Sequence, residues 1–212
     1  MSIDKVDKRE QIINTAIHLF ATRGFEGSSI RDIAAAAGVN IAMINYYFGS
    51  KEKLFEAMVE FKAAYTRGAF DEITKTDGLT AIEKIERVID LYVQKLFTNR
   101  EFHKVLHHEI MLNQRIELGE AITNIIGRNG VIIRSIIEEG IKRKEFKKVD
   151  AALTVASLSG TINQLLLSKR ICNKLLDEED KNYVPYEDAV FIKRVSQHLK
   201  QMMRSHLLRE KL

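Results

Sequence analysis

The stretch from Ser28 to Phe48 constrains the fold more than any other segment, because it predicts two short helices joined by a glycine turn. Ser29 can cap a helix, and Asp32 three residues later completes a capping box. Gly38 can adopt the left-handed conformation that ends a helix, and Asn40 can cap the next one. The apolar residues of the first helix recur at helical spacing: Ile30, Ile33, Ala34 and Ala37. Two short helices around such a turn are typical of a DNA-binding helix-turn-helix motif.

Helices are predicted on both sides of this pair. A helix from about Asp7 to Arg23 precedes it, because apolar residues recur on one face at Ile13, Ala16, Ile17 and Phe20. A longer helix follows, since Ser50 can cap it and Leu54 begins a further apolar stripe. An ordinary pair of packed helices with a glycine turn is the alternative for the central segment alone. The flanking helices favour a three-helix DNA-binding unit instead.

Residues 9 to 54, about a quarter of the chain, resemble the N-terminal pattern of the TetR family of bacterial transcriptional regulators. Two residues depart from that pattern: Asn45 stands where the family usually has Tyr, and Ala42 stands where Gly is frequent. Both lie on the predicted reading helix, so they bear on the target sequence and not on the fold. The matching residues are Phe20, Gly24, Phe25, Ser29, Ile30, Ile33, Ala34, Ala37, Gly38, Val39, Phe48, Ser50, Lys51 and Leu54.

The resemblance implies an all-α protein in which a three-helix helix-turn-helix head precedes a larger helical bundle body that dimerises. We place the DNA-binding domain at residues 1–50 and the ligand-binding and dimerisation domain at residues 51–212. The single proline, Pro185, agrees with long uninterrupted helices. The implied function is sequence-specific regulation of transcription by a repressor that a small molecule releases from a palindromic operator. The alternative is a ligand-independent dimeric activator or architectural DNA-binding protein.

The predicted reading helix, residues 40–48, contains no charged side chain, so arginine contacts to guanine cannot supply its specificity. Amides, hydroxyls and methyl contacts remain, which favours a half-site rich in A·T pairs. Residues 1–56 carry seven basic and seven acidic side chains, so placement of the cations must provide the attraction to phosphate. The predicted DNA-binding residues are Ser29, Arg31, Asn40, Ile41, Ala42, Met43, Asn45, Tyr46, Tyr47 and Lys51.

Lys51 and Tyr47 are the predicted phosphate contacts. Lys51 lies in the first turn of the fourth helix, where the helix dipole also favours an anion, and the resemblance implies the same contact. Tyr47 resembles a family position that bonds a backbone phosphate. A solvated surface lysine and an aromatic ring packed on the fourth helix are the alternatives.

Periodicity predicts five or six helices in the body, at residues 51–71, 80–97, 101–113, 116–144, 150–175 and 186–209. The basic run of Lys142, Arg143, Lys144, Lys147 and Lys148 suits a helix C-terminus better than a nucleic-acid patch. The last two helices are predicted to form a dimer interface, because each has an apolar or uncharged face that needs cover. The interface residues proposed for the last helix are Phe191, Val195, Leu199 and Met202.

Polar or adaptable residues on otherwise apolar body helices are candidates for binding a small-molecule effector. His103 and His107 lie one helical turn apart, a spacing that suits a metal, but no third ligand is evident and no metal is predicted. Core or surface packing is the alternative for each candidate. The candidates are Tyr92, His103, His107, Met111, Asn163 and Gln164.

Several protein classes are not expected. The sequence has no phosphate-binding loop, paired-carboxylate motif or nucleophile motif, so we expect neither an enzyme nor a cofactor. The single cysteine, Cys172, excludes an internal disulfide. Residues 1–10 are too charged for a signal peptide, and polar residues interrupt the uncharged segment 151–168, so we expect a cytoplasmic protein that does not span a membrane.

Overall fold

A computed structural model describes residues 3–112 and 114–209, and this part of the chain is helical with no strand. The all-α prediction is therefore confirmed. The helices are α1 (Ile3–Arg23), α2 (Ile30–Ala36), α3 (Ile41–Phe48), α4 (Lys51–Lys75), α5 (Ala81–Thr98), α6 (Arg100–Leu112), α7 (Ile116–Lys142), α8 (Ala151–Leu167), α9 (Lys169–Leu175) and α10 (Ala189–Leu207), with a short 3-10 helix at Pro185–Glu187 before α10.

Side-chain caps explain where several of these helices begin. Thr80 and Glu83 form a capping box at the start of α5, and the Asp150 side chain accepts a hydrogen bond from the backbone of Leu153 at the start of α8. Asp188 caps α10 in the same way. Each cap satisfies an amide that the first turn leaves without a partner inside the helix. Thr80 and Asp150 are the first residues of the predicted helices, and Asp188 lies two residues after the predicted start at residue 186.

The predicted continuous helix over 150–175 is wrong, because the chain breaks at Ser168 and the axes of α8 and α9 differ by 105°. Ser168 has an extended backbone, and its hydroxyl accepts a hydrogen bond from the amide of Ile171 to cap α9. The Arg100 guanidinium donates to the carbonyl oxygen of Leu166 at 2.8 Å, which satisfies a group in the last turn of α8. The described chain beyond residue 50 thus contains seven α-helices, not five or six.

Two other predicted helix ends are the start of the last helix and the end of the helix over 101–113. The predicted last helix over 186–209 begins later, at Ala189, because Pro185 starts a separate 3-10 turn. The last residue of the predicted helix over 101–113, Asn113, lies outside the described residues.

The chain divides into two compact units, one of Met1–Tyr65 and Glu101–Gly127, the other of Thr66–Arg100 and Arg128–Leu212. In the first unit Phe20, Phe25 and Phe55 pack ring against ring at 5.2 to 5.4 Å. The same core contains side chains from α6 and α7: Phe102, Leu106, Leu118 and Ile122. The compact units therefore do not coincide with the predicted domains at 1–50 and 51–212, and the functional division at residue 50 stays a prediction.

The second unit has a core built from α5, α7, α8 and α10, and this core contains most of the predicted dimer residues. Phe191, Val195 and Leu199 are buried in it, at 0 to 5% exposed, and Met202 packs half-buried against it. The stripe is therefore largely covered within one chain, which leaves little of its surface to contact a partner protomer, and its role in dimerisation stays a prediction.

No single described helix is long and apolar enough to cross a membrane. The bent pair of α8 and α9 meets the length and composition criteria only when the two helices are counted together.

Candidate functional site

The turn into α2 is fixed by a network of short hydrogen bonds at Ser29 and Asp32. The Asp32 carboxylate accepts from the Ser29 hydroxyl at 2.6 Å and from the Ser29 amide at 2.9 Å, while the Asp32 amide donates to the Ser29 hydroxyl oxygen. These hydrogen bonds hold the pKa of Asp32 below its usual range. The capping box predicted from sequence is confirmed, and it sets the start of the helix-turn-helix pair.

The turn between α2 and α3 also has the predicted form. Gly38 has a φ of +61°, a conformation that suits glycine, and the Asn40 side-chain oxygen accepts from the Ala42 amide at 2.9 Å. A bidentate contact to adenine needs both the oxygen and the NH₂ group of an asparagine. Because the cap occupies the oxygen of Asn40, Asn45 is the better candidate for reading adenine.

Burial separates the core face of α3 from its outer face. Ile44 and Phe48 are 1% and 8% exposed and belong to the core of the first unit. Met43 and Tyr47 are half-buried against that core. The remaining predicted contacts of this region are exposed: Ser29, Arg31, Asn40, Ile41, Ala42, Asn45 and Tyr46.

Tyr46 and Tyr47 form an aromatic pair on α3. Tyr46 is 72% exposed, and its ring lies 5.3 Å from that of Tyr47 in an edge-to-face arrangement. The pair therefore presents one exposed ring and one half-buried ring next to Asn45. Such an uncharged surface can contact bases through an amide, hydroxyls and methyl groups.

Lys51 lies in the first turn of α4, and its ammonium is 4.2 Å from the centroid of the Phe25 ring. Partial burial lowers the pKa of Lys51, while Glu52 and Glu109 act in the opposite direction. The cation is therefore held by an aromatic face at a helix N-terminus, where an anion is also favoured.

Comparison with known proteins supports a helix-turn-helix regulator. The profile described as "Bacterial regulatory proteins, tetR family" matches residues 12–58, and that described as "Tetracyclin repressor-like, C-terminal domain" matches residues 78–167. The probable HTH-type transcriptional regulator YttP of Bacillus subtilis is 25% identical over 202 residues, which are 95% of this chain and 94% of that protein.

The HTH-type transcriptional repressor NicS of Pseudomonas putida is 30% identical over 189 residues, which are 82% of this chain and 84% of NicS. The chain belongs to the TetR family of bacterial regulatory proteins. It is a DNA-binding transcriptional regulator, as the helix-turn-helix motif predicts. The fold has a close match in the regulator FadR from Bacillus subtilis, solved with stearoyl-CoA, with a TM-score of 0.73, 24% identity, and coverage of 92% of this chain and 96% of that one.

The six predicted effector residues are divided between the two units. His103, His107 and Met111 belong to the first unit, whereas Tyr92, Asn163 and Gln164 belong to the second. Met111 is 79% exposed and Gln164 is exposed, so neither side chain lines an enclosed cavity. These two assignments are therefore not supported by the structure.

Tyr92 and His103 are the two candidates with perturbed ionisation. Burial raises the pKa of Tyr92, whose hydroxyl is hydrogen-bonded to Ser159, and the Phe70 ring lies 6.0 Å from its ring. Burial lowers the pKa of His103 to about 3, and the charges of His107 and Lys62 lower it further. His103 is therefore neutral near pH 7.

The described side chains, at residues 8–112 and 114–209, include no group of three or more His, Cys, Asp or Glu placed to hold a metal ion. The first unit has an open surface cleft of about 490 Å³ between the end of α6 and the start of α7. No predicted effector residue lines it. Its lining residues are Ile110, Ile116, Gly119, Glu120, Thr123 and Asn124.

The sequence analysis missed an ionic cluster in the first unit. Glu109 on α6 is only 6% exposed, and its carboxylate accepts from the Arg115 guanidinium at 2.8 Å. Arg115 also pairs with Glu26 in the turn before α2. The available signal was Glu109 itself, because it continues the buried stripe of Phe102 and Leu106 at helical spacing. No sequence pattern pointed to Arg115.

Proposed function

We propose that the protein is a homodimeric repressor that binds a palindromic operator and leaves it when a small molecule binds to the body. The observation that carries the proposal is the exposed, uncharged outer face of α3, held in a capped helix-turn-helix. The name of the relative NicS, a transcriptional repressor, supports the sign of control.

Operator recognition is assigned to α3 and the start of α4. Asn45 and Tyr46 are exposed and supply the polar contacts to base edges, while Ile41 and Ala42 contact thymine methyl groups. Lys51 contacts a backbone phosphate at the N-terminus of α4. With no cation on α3, the expected half-site is rich in A·T pairs.

Dimerisation is assigned to the exposed face of α8 and not to the buried stripe of α10. This face is uncharged and mostly small, and it follows helical spacing: Ala152, Leu153, Ala156, Ser157, Gly160 and Gln164. Leu153 alone leaves 66% of its surface exposed. Two such faces across a two-fold axis, flanked by the two copies of α10, would form a four-helix interface. The two α3 helices would then read half-sites roughly 34 to 36 Å apart or a longer multiple.

The effector is assigned to the interior of the second unit. Tyr92 and Ser159 place uncharged polar groups in an apolar core, and the side-chain oxygen of Asn129 is buried without a hydrogen-bond partner in the described structure. These groups suit a mainly apolar molecule with a hydrogen-bond donor for Asn129. The stearoyl-CoA bound to FadR, a protein of the same fold, supports a long acyl chain as the first probe.

The remaining assignments follow from the family. We place the protein in the cytoplasm with DNA as its partner, and we assign it no catalytic activity, since the relatives are named as regulators. A ligand-independent activator or architectural protein is the competing function, because the head would be the same.

The deciding experiment is selection of bound duplexes from a random pool by the purified protein, with the recovered sites titrated over a range of salt concentrations. A short A·T-rich palindrome supports the dimeric regulator. Failure to enrich any sequence, with binding that disappears at moderate salt, would favour nonspecific contact and contradict the proposal.

The effector assignment is tested on the recovered duplex with stearoyl-CoA, and with coenzyme A alone as control. Release by stearoyl-CoA only, weakened by Tyr92→Phe, supports binding through the acyl chain in the second unit. Unchanged DNA affinity at saturating probe would reject this effector class.

A further inference from the structure

Glu109 is a buried carboxylate whose position depends on Arg115. Its side chain is 3% exposed, and the Arg115 guanidinium donates to it at 2.8 Å. His108 lies near the same carboxylate at 3.6 Å, but its own side chain is 66% exposed. Separating the two side chains would leave the charge of Glu109 buried without a partner, which costs free energy. The ion pair between Arg115 and Glu109 is therefore favoured.

The same guanidinium contacts the turn that leads into α2. Arg115 pairs with Glu26, and its central carbon lies 4.4 Å from the centroid of the Phe25 ring. Phe25 is 2% exposed and is fixed by the rings of Phe20 and Phe55. Arg115 therefore joins α6 to the turn between α1 and α2 by an ion pair on each side and by a cation–π contact.

The Phe25 ring is shared by a second cation, Lys51, whose ammonium lies 4.2 Å from the ring centroid. The charge of Glu109 also acts on Lys51. The ring that Arg115 contacts is therefore the ring on which Lys51 rests. A change in the position of the Phe25 ring would therefore change where the Lys51 ammonium is held.

We propose that Arg115 is a positioning residue for DNA binding, which clamps the Phe25–Glu26 turn to α6 through Glu109 and so places Lys51 for its phosphate contact. Because that contact is part of the proposed function, the inference rests on it. Arg115 itself does not touch DNA. It lies directly before the first residue of α7, within the first unit.

Three variants separate positioning from general stability. Arg115→Lys keeps a positive charge beside Glu109, so the buried carboxylate stays compensated, but it loses the planar fork that reaches Glu26 at the same time. Arg115→Met removes both ion pairs. Glu26→Gln removes only the contact to the turn, and the Glu26 side chain is 70% exposed, so folding is little affected.

Matched controls exist on the same elements. Arg134→Met is the control for Arg115→Met, because it also removes one arginine charge. It breaks only the exposed ion pair between Arg134 and Glu138 on α7. Glu10→Gln is the control for Glu26→Gln, because it also removes one carboxylate charge, at an exposed position on α1. All variants are measured in the full chain on the duplex recovered by selection, by fluorescence anisotropy at several salt concentrations.

The expected result is a loss of about tenfold in affinity for Arg115→Lys and Arg115→Met, comparable to that of Lys51→Met. The slope of log affinity against log salt should fall by about one unit for each lost phosphate contact. Arg115→Lys combined with Lys51→Met should lose no more than Lys51→Met alone, because both changes remove one contact. The control variants should bind as the unaltered protein does.

A second measurement, free of DNA, is hydrogen exchange in peptides that cover residues 20–30. We expect faster exchange there in Arg115→Lys and unchanged exchange over α10. Wild-type affinity and slope in the Arg115 variants, or losses that add fully to that of Lys51→Met, would overturn the positioning role while leaving the proposed function intact. Failure of the unaltered protein to select any duplex would instead remove the proposed function.

Discussion

His103 is a residue whose burial makes the stability of the fold depend on pH. Burial lowers its pKa to about 3 from the 6.5 of a free histidine, and the charges of His107 and Lys62 act in the same direction. The unfolded chain therefore binds a proton below about pH 6.5 that the folded chain does not bind until about pH 3. The free energy of unfolding must fall as pH is lowered through that window.

We expect His103 to reduce the free energy of unfolding by at most about 2 kcal/mol between pH 7 and pH 5. Urea denaturation at both pH values measures the change. His103→Gln should remove this part of the pH dependence, whereas His18→Gln, at an exposed position on α1, should leave it in place. Equal pH dependence in His103→Gln and the unaltered protein would show that His103 is not the group responsible.

Asn45 and Lys51 should differ in what they contribute to DNA binding. Asn45→Ala is expected to lose about 1 to 3 kcal/mol on the selected duplex and to discriminate poorly at one base pair, because a base-edge contact is lost. Lys51→Met should weaken binding to all sequences alike, because a phosphate contact carries no sequence information. Titration against single-substitution duplexes separates the two. Uniform loss in Asn45→Ala would place Asn45 away from the bases.

Part of the site could be predicted from sequence because the interactions that form it join residues close together in the chain. Ser29 and Asp32 are three residues apart, and their hydrogen bonds form wherever that helix starts. The partners of Glu109 were not predictable in this way. Arg115 and Glu26 are 89 positions apart in sequence, and only the tertiary fold brings them together.

Among the helices, α7 offers a matched test of packing because two of its four glycines have opposite surroundings. A Cβ on Gly140 would lie 2.4 Å from the Phe146 ring and 3.0 Å from the Cβ of Ala81, both buried, whereas a Cβ on Gly127 would meet nothing within 4 Å. Gly140→Ala should therefore destabilise the protein by about 1 to 3 kcal/mol. Gly127→Ala should stabilise it by about 0.5 to 1 kcal/mol through helix propensity.

Thermal or urea unfolding of the two glycine variants checks both signs in one helix. A stabilising Gly140→Ala would mean that the Phe146 ring moves aside at little cost.

Elements were predicted well where a cap or a breaker marks their ends, and poorly elsewhere. The starts predicted at residues 80 and 150 agree with the structure, where the side chains of Thr80 and Asp150 cap the first turns of α5 and α8. The break at Ser168 has no proline or glycine to mark it. It depends partly on Arg100, 68 positions earlier, which bonds the last turn of α8. Periodicity likewise identified the buried face of α10 but could not tell whether the same chain or a partner covers it.

At the scale of the whole molecule, sequence predicted the all-α class and the helix-turn-helix but not the composition of the compact units. Phe102 and Leu106 of α6 are in one core with Ile44 of α3, although the recognisable family pattern ends near Leu54. Short-range patterns cannot report such packing. The consequence for function is that α6 belongs to the same compact unit as the DNA-reading helix.

The proposed dimerisation through α8 would link the assembly to operator affinity. Ala156→Lys puts a charge on the exposed, uncharged face, where it costs the protomer little because lysine is a good helix former. We expect a monomer in sedimentation, and a loss of about a hundredfold or more on the palindrome with unchanged affinity for a half-site duplex, because the second half-site no longer adds its binding energy. Ser135→Lys, exposed on α7, adds the same charge and should remain dimeric.

A dimeric Ala156→Lys variant would show that the interface lies elsewhere. A monomer that keeps full affinity for the palindrome would show that each head binds alone, and the spacing between heads could then not control release.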